Sequence, residues 1–332
     1  MPILDSEIKT YRSWTTNDTT ANGGPISLTQ EASGLSASLW PNVSKAQRAS
    51  GVTQYRKLFF KIEDAENLEA TGVLIGLWQP TTSADQMFLF EGTASDTQND
   101  IATPELYGAG KLYNAALTGA TSIDVTLDDP SADVFRDGML IRISNKTIES
   151  GAWSTTGTEE FIRIDGTPTL AGSILTIPLA TALENDYGNT DTYISGLIEI
   201  DSIKADVGNS VVTSAAGTFD KTNVLPQWVG GMTHTLTFTF SSATAFTCTS
   251  DLFGSLGSGT RSSTFSPVNN TLGAAHVQIP TSCWGGTFTS GDTVTLELVA
   301  AAQGLWMQRV IPAGASAIGA VTRTIMFFGE SP

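Results

Sequence analysis

Residues 232–250 read MTHTLTFTFSSATAFTCTS. Successive side chains of a β-strand point to opposite faces, so this stretch sets Met232, His234, Leu236, Phe238 and Phe240 on one face and Thr233, Thr235, Thr237 and Thr239 on the other. An apolar row backed by a hydroxyl row is the pattern of a half-buried strand. His234, one of only two histidines, falls in the apolar row. It is expected to be a core or interface residue whose ring nitrogen bonds locally.

The same grammar runs through the chain. GDTVTLELV (291–299) sets Val294, Leu296 and Leu298 on one face. YRKLFFKIED, TGVLIGLWQP and DQMFLFEGT, from Tyr55 onward, are three strand-length runs split by turn residues, read as part of a small sandwich whose edge closes near Asp100. GATSIDVTLDD, DVFRDGMLIRIS, TEEFIRIDG and GSILTIPLATAL follow with turns every 8–12 residues, the spacing of a small barrel. Pro178 inside the last of them points to an edge strand or a bulge. NSVVTSAAGTFDKTNVLPQW (209–228) reads as a linker or long loop.

These observations predict an all-β chain of two or three small antiparallel β-sandwich or β-barrel domains with an extended N-terminal arm. The arm covers 1–52, with a short helix at SKAQRAS capped by Ser44 and ended by Gly51. Sandwich strands cover 53–105 and can pack with 210–332. A small barrel covers 106–205 and a C-terminal sandwich 206–332.

Composition narrows the function. Charged residues are 15% and hydrophobic residues 40% of 332, a balance that suits a turn-rich β protein and argues against disorder. The net charge of −16 argues against nucleic acid as a partner, because phosphate binding relies on Lys and Arg displacing counterions. No stretch approaches the roughly 18 apolar residues that span a bilayer, so no membrane is expected. MPILDSEIKTYRSW lacks a basic n-region and an apolar core, so no secretory signal is expected either. The charge is uneven: residues 1–61 hold seven bases and four acids, while the remainder is strongly acidic. That asymmetry predicts a basic arm that docks on the acidic body of a neighbouring copy. The expected interface residues are Lys45, Arg48, Arg56 and Lys57, with Trp40 and Trp306 as aromatic anchors.

Candidate chemistry is sparse. No G-x-S-x-G accompanies the two histidines, and Cys248 and Cys283 read as free buried thiols. GSLGSGT (254–260) lacks the lysine of a phosphate-binding loop and reads as a flexible hairpin loop. Asp128, Asp129, Asp133, Asp137, Glu159 and Glu160 are the carboxylates a glycosidase would draw on, and DDPSADVFRDG departs from the spacing of a calcium loop. They read as solvated acids. The expectation is a protein that is not an enzyme, with no cofactor and no metal site. The seven tryptophans are expected to serve packing before sugar stacking.

The N-terminal MPILDSEIKTYRS with LWPNVSKAQRASGVTQYRKLFFKIED is similar to the start of a family of structural proteins of tailed-bacteriophage virions. WGGT at Trp284–Thr287, GDTV at Gly291–Val294 and the W…R…PAGA element from Trp306 to Ala315 resemble its closing domain. DGMLIRIS, EEFIRIDG and LATALENDY resemble a small β-barrel module of virion and surface proteins. The resemblance implies a virion subunit assembled in the host cytoplasm, forming part of a ring in the neck, collar or tail. Its partners would be copies of itself and other phage structural proteins such as head-tail connector, tail or baseplate proteins. A receptor- or carbohydrate-binding virion module, at the baseplate or as a capsid decoration, is the alternative. A cell-wall hydrolase is a third reading.

Overall fold

The computed structural model describes residues 2–31, 39–81, 83–149, 152–317 and 323–331. About half of the chain is strand and 6% helix, in several antiparallel sheets and a half-barrel. The all-β expectation holds.

The first body is a sandwich. One of its sheets has five strands in the order Gly23–Gln30, Ile8–Thr15, Val52–Ile62, Ala302–Ile311 and Gln86–Gly92. Ala70–Leu77 belongs to the facing sheet, between Tyr193–Ile203 and Ile325–Glu330. Leu58, Phe60 and Ile62 from the first sheet meet Val73, Ile75 and Ile198 from the second, with Leu305 and Met307 completing the core. The three runs from Tyr55 onward are therefore split between two sheets. Both sheets also take strands from distant parts of the chain. Ala302–Ile311 is inserted between Val52–Ile62 and Gln86–Gly92, pairing with the former from Ala302↔Lys61 to Ile311↔Val52.

The expected free arm is folded back onto its own chain. Ile8–Thr15 pairs with Val52–Ile62 from Ile8↔Ile62 to Arg12↔Leu58, and Gly23–Gln30 pairs with Ile8–Thr15. The segment lacked a visible period because only Tyr11 and Ile26 supply its large buried apolar contacts. The helix Lys45–Ser50 is where the sequence placed it. Ser44 Oγ accepts from the Gln47 amide at 3.2 Å and the Ser44 amide donates to Gln47 Oε1 at 2.9 Å, a reciprocal cap.

The second body is a curled sheet in the order Glu159–Arg163, Leu140–Ser144, Tyr193–Ile203, Ala109–Leu112, Ser122–Leu127, Ile174–Pro178 and Thr169–Ala171. A bridge between Ile164 and Leu179 draws its ends together. Val125, Ile141, Ile143, Ile177 and Ile194 fill the interior. Pro178 ends its strand beyond the reach of Thr169–Ala171, whose register stops at Thr176, so its missing N–H breaks no ladder with that neighbour. Tyr193–Ile203 serves two bodies. Its first residues pair with Leu140–Ser144, and from Leu197 onward it pairs with Ala70–Leu77.

The third body is a five-stranded sheet in the order Asp206–Thr213, Thr293–Val299, His234–Phe240, Ala245–Ser250 and Gly254–Thr260. Its apolar row (Leu236, Phe238, Phe240, Val294, Leu296) packs on Trp284, Phe288 and Phe265. Two expectations are corrected here. The stretch expected as a linker holds the latter part of the strand Asp206–Thr213 and all of Ala216–Phe219, with Val212 and Phe219 at the edge of the core. GSLGSGT is an edge strand rather than a loop. Gly259 lies against Phe246 and Phe265, where a Cβ would come within 2.6–2.8 Å of ring carbons, so glycine reflects close packing there.

Candidate assembly surfaces

The central strand Val52–Ile62 is buried from Arg56 to Ile62, cations included. Arg56 donates through Nη2 to Asp18 at 2.7 Å, through Nη1 to the Asn17 carbonyl at 2.8 Å and through Nε to the Leu39 carbonyl at 3.0 Å. Lys57 Nζ donates to Asp96 Oδ1 at 2.6 Å and to the carbonyls of Gly24 and Asp96 at 2.8 and 3.0 Å. The other oxygen of Asp96 accepts from Trp306 Nε1 at 2.6 Å, and the Trp306 ring is fully buried. That ring leaves room only for glycine at position 23 (φ 103°), where a Cβ would lie 2.6 Å from Trp306 Cη2. Lys61 Nζ donates to the Val229 carbonyl at 2.5 Å, with Glu63 at 3.3 Å, and ties the first body to the third. Burial pushes both lysine pKa values down, against Asp96 and Glu63, which hold them up.

The expected interface set is therefore corrected. Arg56, Lys57 and Trp306 are inside the first body. Trp40 is half-buried between Arg56 and Arg309, whose guanidinium carbons lie 5.2 and 4.8 Å from its ring centre. Arg48 is half-buried and bonds Asp85 and the Ser316 carbonyl at 3.2 and 3.0 Å. Of the six, Lys45 alone is exposed. The basic excess of residues 1–61 is largely neutralised within the chain: a cation enclosed by carbonyls and a carboxylate projects little field outward.

The candidate carboxylates hold turns and ion pairs. Asp128 accepts from the Thr81 amide at 2.7 Å, Asp129 caps Ser131 at 2.9 Å, and Asp137 accepts from the Gly166 amide at 2.7 Å. Asp133 lies in the turn that Arg136 closes by donating to its carbonyl at 2.8 Å. Glu160 accepts from the amides of Glu184 and Asn185 at 3.0 and 2.8 Å. Glu159 pairs with Arg142 at 2.9 Å and with Lys146.

His234 is buried as expected, with Nδ1 2.8 Å from Ser250 Oγ. Sequence gave no sign of its neighbour: the ring of His276, equally buried, is centred 5.2 Å away. Phe253 lies against both rings, next to the junction where Met232 meets Tyr11, Ile26 and Phe59 of the first body. Burial lowers both imidazole pKa values to about 4, and for His234 the neighbouring His276 adds to the effect. Both cysteines are free and buried, and burial pushes their thiols up, to about 12 for Cys248 and about 11 for Cys283.

Two outer sheet faces carry uncharged rows or aromatic rings. On the third body, cross-strand register aligns Thr213, Thr293, Thr239, Thr247 and Ser258 in one row. Val211, Thr295, Thr237, Thr249 and Ser255 form the next. Neither row holds a charge. Gly254–Thr260 forms one edge of this sheet and carries no charged residue or proline either. Exposed edges are ordinarily blunted by such residues, so this one is open to pairing with another strand. A second surface, missed by sequence reasoning, is a chain of aromatic rings on the outer face of the sheet that contains Arg142. Comparison with known protein families, with curated proteins and with solved structures finds no match to this chain.

Proposed function

We propose that this protein is a structural subunit of a tailed-phage virion, forming part of a ring in the neck, collar or tail by contacts with copies of itself and with other virion proteins. The observation that carries the reading is the charge-free edge strand Gly254–Thr260 beside two uncharged rows that are hydroxyl side chains except at Val211. A subunit of net charge −16 repels its copies over most of its surface, so a contact is favoured where charge is absent. An open edge supplies main-chain donors and acceptors for β-augmentation, here on either side of a bulge at Leu256. Because the N-terminal segment is built into its own sheet, the reading assigns the gripping role to this edge and not to a basic arm.

The test is the mass of the purified protein by light scattering and its copy number in the particle. Six or twelve copies support a ring. A Ser255→Lys/Ser258→Lys double variant is expected to remain folded, with an unchanged thermal midpoint, and to lose assembly. A wild-type chain that remains monomeric at all concentrations and is absent from particles overturns the reading.

A further inference from the structure

The sheet that joins the first and second bodies has an inner face of Ile75, Ile141, Ile143, Ile194 and Ile198 in the two cores. Its outer face is not polar in the ordinary way. Arg142 lies in register with Phe161 on one side and Ser195 on the other, and Phe328 faces Leu74 two strands further on. From these strands and the flanking segments a continuous chain of rings assembles. Phe161 meets Phe328 edge-on at 5.8 Å, Phe328 stacks with Trp153 at 6.3 Å, Trp153 meets Trp78 at 5.8 Å, and Trp78 meets Tyr193 at 6.3 Å. All five rings reach the surface, and Phe161 is 42% exposed.

The Arg142 guanidinium sits under this chain, 1% exposed, with its central carbon 4.4 Å from the Trp153 ring centre and 5.6 Å from that of Phe328. Nε donates to Glu159 at 2.9 Å and Nη1 faces Met326 Sδ at 3.5 Å. Nη2 is buried and has no partner among the described residues, and neither has the indole N–H of Trp78. Glu159 is shared with Lys146, so two cations meet one carboxylate. A buried guanidinium with an idle fork arm and a neighbouring idle indole donor is unfavourable unless something else accepts from them. Packing alone accounts for the stacked rings but leaves both donors without a role.

We propose that this face binds an acidic saccharide, with sugar rings stacked on the aromatic chain and a carboxylate of the sugar accepting from Arg142 Nη2. Sugar faces present C–H groups that pack on flat rings, while a carboxylate is the group a guanidinium fork fits best. The excess of one positive charge among Arg142, Lys146 and Glu159 favours an anion on a chain that is otherwise acidic. Trp153 covers the guanidinium and must turn aside for the sugar to reach it, so binding reports through indole fluorescence. The inference is independent of the assembly reading.

The test titrates the full chain with trigalacturonic acid, 3′-sialyllactose and neutral maltotriose, following tryptophan fluorescence. At least one acidic probe is expected to bind ten times or more tighter than maltotriose. Phe161→Ser, at an exposed position, is expected to weaken that probe at least tenfold with the thermal midpoint retained. Arg142→Lys is expected to remove the preference for acid over neutral sugar. No binding at millimolar probe overturns the proposal, as does equal affinity for acidic and neutral probes. It is also overturned if Phe161→Ser alters the oligomeric mass and leaves sugar affinity unchanged, which makes the face a subunit contact.

Discussion

His234–Phe240 and Val52–Ile62 are both central strands, and they are built on opposite rules. In His234–Phe240 every second residue is buried and the residues between face outward. In Val52–Ile62 burial is continuous from Arg56 onward because the facing sheet lies on one side and Gly24, Asp96 and Val229 of the third body close over the other. Alternation therefore reports a strand with one wet face. A strand enclosed on both sides has no such constraint, and its charges mark internal anchor points for carbonyls and carboxylates instead of a surface.

Acid is expected to give the largest effect that separates the two designs, because the alternating strand buries a neutral imidazole where the enclosed one buries cations already paired. His234 and His276 have pKa values of about 4 in the folded protein against an ordinary 6.5. As pH falls from 6.5 towards 4 the unfolded chain takes up protons that the folded chain refuses, so stability is full above 6.5 and declines across that window. The loss is on the order of 3 kcal/mol for each ring. Urea denaturation at a series of pH values measures it, and a His276→Gln variant is expected to flatten the slope.

Single substitutions probe the strands next. Lys57→Ala is expected to cost about 3–5 kcal/mol, because the half-buried Asp96 loses its cation, the carbonyls of Gly24 and Asp96 lose their donor, and a fully buried side chain leaves a cavity. Phe238→Ala is expected to cost about 3–4 kcal/mol for the cavity beside Trp284 and Phe246. Lys57→Met refills the volume but not the charge, so it is expected to recover only part of the loss, and a chain as stable as wild type would mean that the cation is unimportant there. Breaking the exposed Arg163–Glu199 pair with Arg163→Ala is expected to change stability by less than about 1 kcal/mol, since solvent screens it. Thr239→Ala on the hydroxyl face is expected to move it by no more than about 0.5 kcal/mol. Thermal or denaturant midpoints of these variants rank the series directly.

The legible parts of the fold follow the same division. The strands at 122–127, 140–144, 159–163 and 174–178, the Ser44 cap and the placement of His234 came from local signals: period, turn residues and capping chemistry. The seat of Ala302–Ile311 between Val52–Ile62 and Gln86–Gly92 depends on partners more than 200 residues away, which no local signal marks. The interface set failed for a related reason. The basic excess of residues 1–61 points to an outward-facing arm, whereas Arg56 and Lys57 are buried against the carbonyls of Asn17, Gly24 and Leu39 and the carboxylates of Asp18 and Asp96, groups brought in from elsewhere in the chain. The aromatic chain over Arg142 was equally invisible. Its five rings come from separate segments, and no spacing within any one of them marks the cluster.

The insertion of Ala302–Ile311 into the middle of the first sheet bears on how the polypeptide is born. During translation Val52–Ile62 and Gln86–Gly92 leave the ribosome with the slot between them vacant, and at roughly 5–20 residues per second the missing strand arrives about 10–40 s later. Over that interval the nascent strand displays Phe59 and Phe60 beside Arg56, Lys57 and Lys61. Cations flanking a greasy segment act as gatekeepers against clumping, so the side chains that end as internal anchors first keep the unfinished sheet in solution.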